Sequence, residues 1–182
     1  MTAWPTVRWS SADQVIAAIG EHDEPPPVQA AIEPAAWFRM LAERGDHAAA
    51  IEFIAHALAR YDCVVWATQT VLDSGQSDRT SDLVRAIMRW IDDPQEAHRR
   101  TVQAATGPVT NTRPEYLLGM AVFFSGGSIS APQLPAVLPP PNSTAKMAAA
   151  AIFNAADKGD RRAIMRSAVE RGEAIAAARP AR

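Results

Sequence analysis

The chain has 182 residues and a formal net charge of −2, with 37 alanines, 14 prolines and one cysteine. This length suits a single domain whose core needs neither a metal ion nor a disulfide bond. Alanine has the highest helix propensity, and the alternating apolar runs of strands do not occur, so we expect an all-α fold. The dispersed basic residues argue against a nucleic-acid-binding face.

The first 33 residues are predicted to form an arm ahead of the helical domain. Trp4 and Trp9 lie outside any expected helix, and such indoles usually fold back to cover an apolar groove. A cap at Ser10 or Ser11 begins a short helix that ends at Gly20. The next stretch, EHDEPPPVQA, is charged and proline-rich, which is typical of a linker.

Residues 34–179 are predicted to form the helical domain, and residues 180–182 a frayed tail. Apolar residues recur every three or four positions between proline, glycine and capping residues, which indicates amphipathic helices. We expect helices to start at or near Pro34, Asp46, Asp62, Ser77 or Ser81, Pro94, Pro114, Asn142 or Ser143, and Gly159–Asp160. With short connections, this predicts a single-domain bundle or short stack of eight or nine antiparallel helices.

The residue types that carry chemistry are scattered. His47 and His56 are nine positions apart on one predicted helix, so they face different sides and do not share a metal ion. Cys63 opens an apolar run in which a small buried thiol fits. Asp92–Asp93 precede Pro94, where a helix N-terminus favours negative charge. We therefore predict no catalytic, cofactor or metal site, with the four histidines at the surface or rim.

Two further motifs have simple structural interpretations. The arginine pairs Arg99–Arg100 and Arg161–Arg162 are interpreted as solvated helix faces or partners of helix carboxylates. The stretch SGGSIS lacks the lysine and the preceding strand of a phosphate-binding loop. Gly126–Gly127 are instead expected to end a helix, where a left-handed residue satisfies the last carbonyl groups.

The most unusual feature is the proline segment, residues 125–141, which holds five prolines, two glycines and no charged residue. A loop of this length is uncommon in a compact domain and tends to be functional or disordered. Its apolar residues, Ile129, Leu134, Val137 and Leu138, are expected to be buried as it lies extended across the helices. Two compatible interpretations stay open: a strap that covers the core, and a ledge for a partner, because PQLP and LPPP resemble proline-rich docking segments.

Several residues together resemble a family of alanine-rich bacterial proteins that is associated with type VI secretion gene clusters. The resemblance covers roughly residues 40–157 and departs from the family at Phe124, where a tryptophan is expected. The residues that carry it are Val64, Val65, Trp66, Arg89, Trp90, Pro94, Arg99, Arg100, Phe124, Ser125, Gly126, Gly127, Ser128, Pro132, Leu134, Pro135, Val137, Pro139, Pro140, Pro141 and Thr144. It implies an accessory or adaptor role in secretion, without catalysis.

The sequence therefore predicts a non-catalytic adaptor with a protein partner, located in the cytoplasm. The N-terminus has no basic region followed by an apolar stretch, and no apolar run approaches the ~18 residues of a membrane span. The predicted protein-binding residues are Trp66, Trp90, Phe124, Ser128, Pro132, Leu134, Pro135, Leu138, Pro139 and Pro140. Two alternatives stay open: a small enzyme that uses Cys63, His56 or Asp92–Asp93, and a structural module in which the proline segment crosses to a second copy to form a homodimer.

Overall fold

The computed structural model describes residues 4–20, 32–131 and 133–178. In these ranges the chain forms nine α-helices and no β-strand, which confirms the all-α prediction. The helices are α1 (Ala12–Ile19), α2 (Pro34–Glu43), α3 (His47–Ala57), α4 (Arg60–Asp73), α5 (Asp82–Asp92), α6 (Glu96–Thr106), α7 (Pro114–Phe124), α8 (Ser143–Lys158) and α9 (Arg161–Ala177). The predicted linker that follows Gly20, residues 21–30, lies outside the described residues.

The helix starts follow capping chemistry that is legible in the sequence. The side chains of Asp46, Ser81 and Asp160 each accept a hydrogen bond from the backbone N–H three residues later, at 3.2, 3.3 and 3.0 Å. Pro34 and Pro114 occupy the first turns of α2 and α7. These local signals mark the starts of α2, α3, α5, α7 and α9.

Two predicted starts are displaced. Helix α4 begins at Arg60, two residues before Asp62, and its N-cap is Ala59, whose side chain has no oxygen to accept a hydrogen bond. Helix α6 begins at Glu96 after the N-cap Gln95, so Pro94 ends α5 without starting α6. Neither start has a side-chain cap, which is why the sequence marks them poorly.

Helix α8 is central to the packing, because it contacts α3, α4, α7 and α9. The alanines on its buried faces, such as Ala148, Ala151 and Ala155, are fully buried. Their small side chains let neighbouring helices approach closely, and the larger volume comes from partners such as Trp66 on α4. The Trp66 Nε1–H donates a hydrogen bond to the Ala168 carbonyl oxygen of α9 at 2.8 Å.

The N-terminal residues complete the same core. Trp4 is buried edge-on against Phe38, with ring centroids 5.2 Å apart, and the Trp9 Nε1–H donates to the His56 carbonyl oxygen at 3.1 Å. The Thr6 hydroxyl donates to the Ala176 carbonyl oxygen at 2.9 Å. The prediction that the two indoles fold back is confirmed. Trp4, Ala12, Val15 and Ile16 belong to the same hydrophobic cluster as the residues of the later helices.

In the described ranges, no helix combines the length and the apolar character needed to cross a lipid bilayer.

Candidate functional site

The proline segment leaves α7 and returns to α8 as a folded-back loop. The Ile129 N–H donates to the Val137 carbonyl oxygen at 2.8 Å, which brings the two limbs together. The Ser128 Oγ accepts hydrogen bonds from the N–H groups of Ser130 and Val137, each at 3.1 Å. The Leu134 N–H donates to the Ala131 carbonyl oxygen at 2.9 Å near the tip. The backbone is thus held by specific hydrogen bonds across the loop.

Arg99 of α6 attaches this loop to the domain. Only 3% of its side chain is exposed, and its guanidinium donates to the carbonyl oxygens of Phe123 and Ser128, the latter at 2.8 Å. The same guanidinium makes two hydrogen bonds of 2.7 Å to the Glu96 carboxylate. A planar guanidinium suits this work because it presents five donors in a fixed geometry.

Arg100 adds a second, more exposed attachment. Its guanidinium donates to the carbonyl oxygens of Ser128 at 2.7 Å and Ser130 at 3.0 Å, and to Glu96 at 2.9 Å. Glu96, Arg99 and Arg100 are called the arginine clamp below. Both guanidinium carbons also lie near the Phe123 ring, at 4.9 and 5.7 Å from its centroid.

The clamp explains one of the two glycines after α7. Gly127 has a left-handed backbone with φ of 66°, as predicted for this pair, whereas Gly126 is not among the positive-φ glycines of the described residues. A Cβ atom on Gly127 would lie 2.8 Å from the Glu96 Oε2 and 2.9 Å from the Arg99 Nη2. Gly127 is therefore needed both for its backbone conformation and for close approach to the clamp.

The apolar side chains of the segment point outwards. Leu134, Val137 and Leu138 are 59%, 51% and 74% exposed. The expectation that these side chains are buried is wrong, because the loop is held by its backbone carbonyl and amide groups. Ile129 is half-buried and Pro139 is buried, so the segment covers the domain only in part.

The structure separates the other predicted binding residues from this surface. Trp66 is fully buried and Trp90 is 4% exposed, so neither indole lies on a surface that a partner could contact, and their prediction as protein-binding residues is wrong. Both face the core because they lie on the buried stripes of α4 and α5. Phe124 is half-buried beside Phe123, with ring centroids 5.6 Å apart.

The remaining predicted residues lie on the loop itself. Pro135 and Pro140 are exposed near Leu138, whereas Ser128 uses its hydroxyl and carbonyl groups inside the loop. Pro132 lies outside the described residues.

The structure describes the surroundings of Cys63 and Asp93, two of the residues named for the enzymatic alternative. Burial, with a smaller contribution from the Asp62 carboxylate, raises the pKa of the Cys63 thiol to about 12. A catalytic thiol needs the opposite shift. Asp93 lies beside His98, with 3.4 Å between the Asp93 Oδ2 and the His98 Nδ1.

The histidines also differ from expectation in one respect. His56 is buried rather than at the surface, and its Nδ1 lies 2.9 Å from the Glu52 carbonyl oxygen. It faces inwards because it lies at the end of α3 beneath Trp9, whose indole N–H binds the His56 carbonyl. His47 and His98 are half-buried, and His22 lies outside the described residues. Among the described side chains, no group of three or more His, Cys, Asp or Glu could hold a metal ion.

The proline segment lies inside the part of the chain that matches the pattern of a protein family. The pattern of a family of unknown function (DUF6931) matches residues 37–176, more than three quarters of the chain. The chain belongs to this family. No curated protein and no solved structure matches it. The family range includes the arginine clamp and the whole proline segment, and it begins after Trp4 and α1.

Within this family range, sequence reasoning missed the clamp. Arg99 was expected on a solvated face, which is wrong, whereas pairing of both arginines with a helix carboxylate is confirmed by Glu96. The spacing of three and four residues to Glu96 is visible in the sequence. The carbonyl partners at Phe123 and Ser128 lie 24 and 29 residues away from Arg99, and no local pattern announces them.

Proposed function

We propose that this protein is a non-catalytic protein-binding adaptor or accessory factor, and that the outer edge of the proline segment is its recognition surface. One observation carries the proposal: Leu134, Val137 and Leu138 are more than half exposed on a backbone that is held in place. Among the exposed large apolar side chains of the described residues, only Tyr61 and Met88 lie elsewhere.

The physical argument concerns entropy and desolvation. Exposed apolar surface gains free energy when a partner removes it from water. A flexible loop would lose much of this gain on ordering, whereas the clamp and the proline rings have already ordered this one. The segment carries no charge, so its burial leaves no ion without solvent.

The chemistry of the surface indicates the kind of partner. Extended proline-rich segments dock into grooves lined by aromatic side chains, which receive the proline rings and the apolar residues between them. Pro135, Leu138 and Pro140 present this combination to solvent. We propose a partner protein with an apolar, aromatic-lined groove.

The resemblance to proteins associated with type VI secretion gene clusters supports a biological setting. Most of the residues that carry it lie between Phe124 and Pro141, the stretch of sequence that includes the exposed residues Leu134 and Val137. In that setting the protein would act in the bacterial cytoplasm, in effector loading or in assembly of the secretion machinery. The protonated, buried thiol of Cys63 is consistent with a role that does not use chemistry.

The experiment uses a surface variant and a matched control. The variant replaces Leu134, Val137 and Leu138 with serine, and the control is Met88→Ser, which removes a 39%-exposed apolar side chain on α5. Partners captured by the wild-type protein are identified by mass spectrometry and purified, and their binding is measured by calorimetry. Because a central apolar contact is worth more than about 1 kcal/mol, the triple variant should bind at least about tenfold more weakly.

The result is interpretable only if the variant stays folded, which circular dichroism and thermal unfolding establish. Equal binding by the folded triple variant and the wild type would refute the surface. Light scattering separates a second copy of this chain from a different partner. If the wild type is a dimer and the triple substitution dissociates it, the surface is a homodimer interface and the adaptor proposal is refuted.

A further inference from the structure

A cleft of about 610 Å³ opens beside the start of α8, where the last residue of the proline segment, Pro141, forms part of its wall. Its walls come from the N-terminal residues and α1, from the junction of α3 and α4, and from the first turn of α8. A volume of this size is typical of sites for small organic ligands. Much of the wall is apolar, including Trp9, Ala17, Ala55, Leu58, Cys63 and Ala145.

Among the described lining residues of the cleft, the aspartate, glutamate, lysine and arginine side chains are represented by arginine alone. Arg8 and Arg60 line it, and none of the described residues that line it is an aspartate or a glutamate. This differs from the chain as a whole, which carries a net charge of −2. Arg60 donates to the Ser125 and Pro141 carbonyl oxygens through long contacts of 3.4 Å, which leaves further guanidinium donors for a ligand.

Two helices begin at this cleft. Ala59, the N-cap of α4, and Asn142, the N-cap of α8, both line it, and within the described chain neither side chain caps its helix. The amide groups of a first helical turn carry partial positive charge and favour anions. Asn142 also lies close to the end of α1. Its Nδ2 is 3.7 Å from the position that a Cβ atom would take on Gly20, the residue that follows α1.

Thr144 supplies an independent indication of a ligand. It lies in the first turn of α8, lines the cleft and is only 2% exposed. Its Oγ1 has no hydrogen-bond partner in the described part of the chain. Buried hydroxyl groups nearly always have a partner, because an unpaired one loses its hydrogen bonds to water without replacement. An oxygen atom of a ligand beside the α8 N-terminus would satisfy it.

We infer that this cleft binds an organic anion, a carboxylate on an apolar body. The carboxylate lies between Arg60, Thr144 and the first turn of α8, and the apolar body lies against Trp9 and the alanine walls. A free carboxylic acid and the C-terminal carboxylate of a peptide share this chemistry. The inference uses other side chains than the outer edge of the proline segment, so it stands independently of the proposed adaptor function.

The test compares probes with the same kind of apolar body and different head groups. Octanoate and octylammonium are titrated into the full-length protein, and amide chemical shifts are followed by NMR. A short apolar peptide is added as a free acid and as its C-terminal amide. Octanoate or the peptide acid should shift the amides of residues 59–63 and 142–145 saturably, and the cation and the amide should not. The acid that binds more tightly identifies the source of the carboxylate.

Variants localise the site. Arg60→Gln should weaken binding of the acid at least about tenfold, because it removes a charge-assisted hydrogen bond. Thr144→Val should weaken binding and at the same time raise the melting temperature of the ligand-free protein, because it removes the unpaired hydroxyl without changing the side-chain shape. Arg79→Gln is the control, since Arg79 pairs with Asp73 on the surface outside the cleft.

Three results would overturn the inference: no saturable shift with either acid, equal binding of octanoate and octylammonium, or an Arg60→Gln variant that binds as tightly as the Arg79→Gln control. A Thr144→Val variant that melts at a lower temperature and binds the acid unchanged would also count against it. If the Thr144 hydroxyl binds the ligand, Thr144→Val lowers the affinity for the acid while it raises the melting temperature of the ligand-free protein.

Discussion

The Arg99 guanidinium reaches the Ser128 carbonyl oxygen, 29 residues ahead in the chain, at 2.8 Å while its own side chain is almost completely buried. The contact joins α6 to the proline segment across the end of α7. A single buried arginine of α6 therefore helps to hold the proline segment against the helices.

We expect Arg99→Met to destabilise the domain strongly. Methionine keeps the packing of the methylene groups but removes the donors to Phe123, Ser128 and Glu96. Loss of charge-assisted hydrogen bonds at a buried position should lower the free energy of unfolding by about 3 kcal/mol, measured by urea unfolding.

The control for this prediction is Arg85→Met on α5. Arg85 pairs with Asp82 at the surface, where both side chains are more than 60% exposed, so its loss should cost less than about 0.5 kcal/mol. If both variants lost the same stability, the arginine clamp would not hold the proline segment.

Alanine substitutions at two glycines with a similar left-handed backbone distinguish the cost of backbone strain from the cost of contact with the arginine clamp. Gly45 and Gly127 have φ of 75° and 66°, but only Gly127 has clamp atoms where a Cβ atom would lie. Gly45→Ala should cost about 1 kcal/mol of stability from the left-handed backbone alone. Gly127→Ala should cost at least about twice as much, since the Glu96–Arg99 pair must move as well. Equal losses in thermal unfolding would show that the clamp adjusts freely.

The clamp should also make stability depend on pH. The hydrogen bond from Arg99 is the main cause that lowers the pKa of Glu96 below its ordinary value near 4.5; partial burial opposes it, and the hydrogen bond from Arg100 and the two positive charges lower it further. A carboxylate with a lowered folded pKa contributes stability above its unfolded pKa, and this contribution is lost as the pH falls through the folded pKa.

Comparison with Glu96→Gln isolates this contribution from that of other carboxylates, such as Asp78, whose pKa is also lowered. The wild type should be more stable than Glu96→Gln at neutral pH, and the difference should shrink as the pH falls below the ordinary glutamate pKa of 4.5. Urea unfolding at several pH values measures it. A difference that stays constant across that range would mean that the charge of Glu96 does not hold the arginines.

The Cys63 thiol should react only through unfolding. With a pKa of about 12, burial leaves it protonated near neutral pH. We expect negligible alkylation by iodoacetamide in the folded state near pH 8, and rapid alkylation in concentrated urea. Fast labelling of the native protein would contradict this prediction. It would mean that the thiol becomes accessible without unfolding, which would favour the enzymatic alternative for Cys63.

The sequence predicted those parts of the fold that local chemistry decides. Asp46, Ser81 and Asp160 bind their own helix starts, so their roles can be read within three residues. The start of α4 could not be placed, because Ala59 has no capping group. Burial was predicted for Leu134 and Leu138 on their apolar character alone, yet the loop is positioned by backbone groups that the side chains do not reveal.

The cleft could not be predicted either, for a related reason. Arg8, Arg60 and Thr144 come from distant parts of the chain and share no spacing pattern. Each is unremarkable in its own helix or loop. Only the tertiary arrangement shows that Thr144 has lost its solvent and that two helix starts meet beside it.

The packing of Trp4 against Phe38 bears on where this protein can be cut. Trp4, Ala12 and Val15 precede the range that the family pattern covers, yet they close the hydrophobic core over α2 and α3. A fragment of residues 37–176 would lack Trp4, which packs against the Phe38 ring, and we expect it to aggregate because part of its core is exposed to water. For this chain, the hydrophobic core extends beyond the range that the family pattern matches.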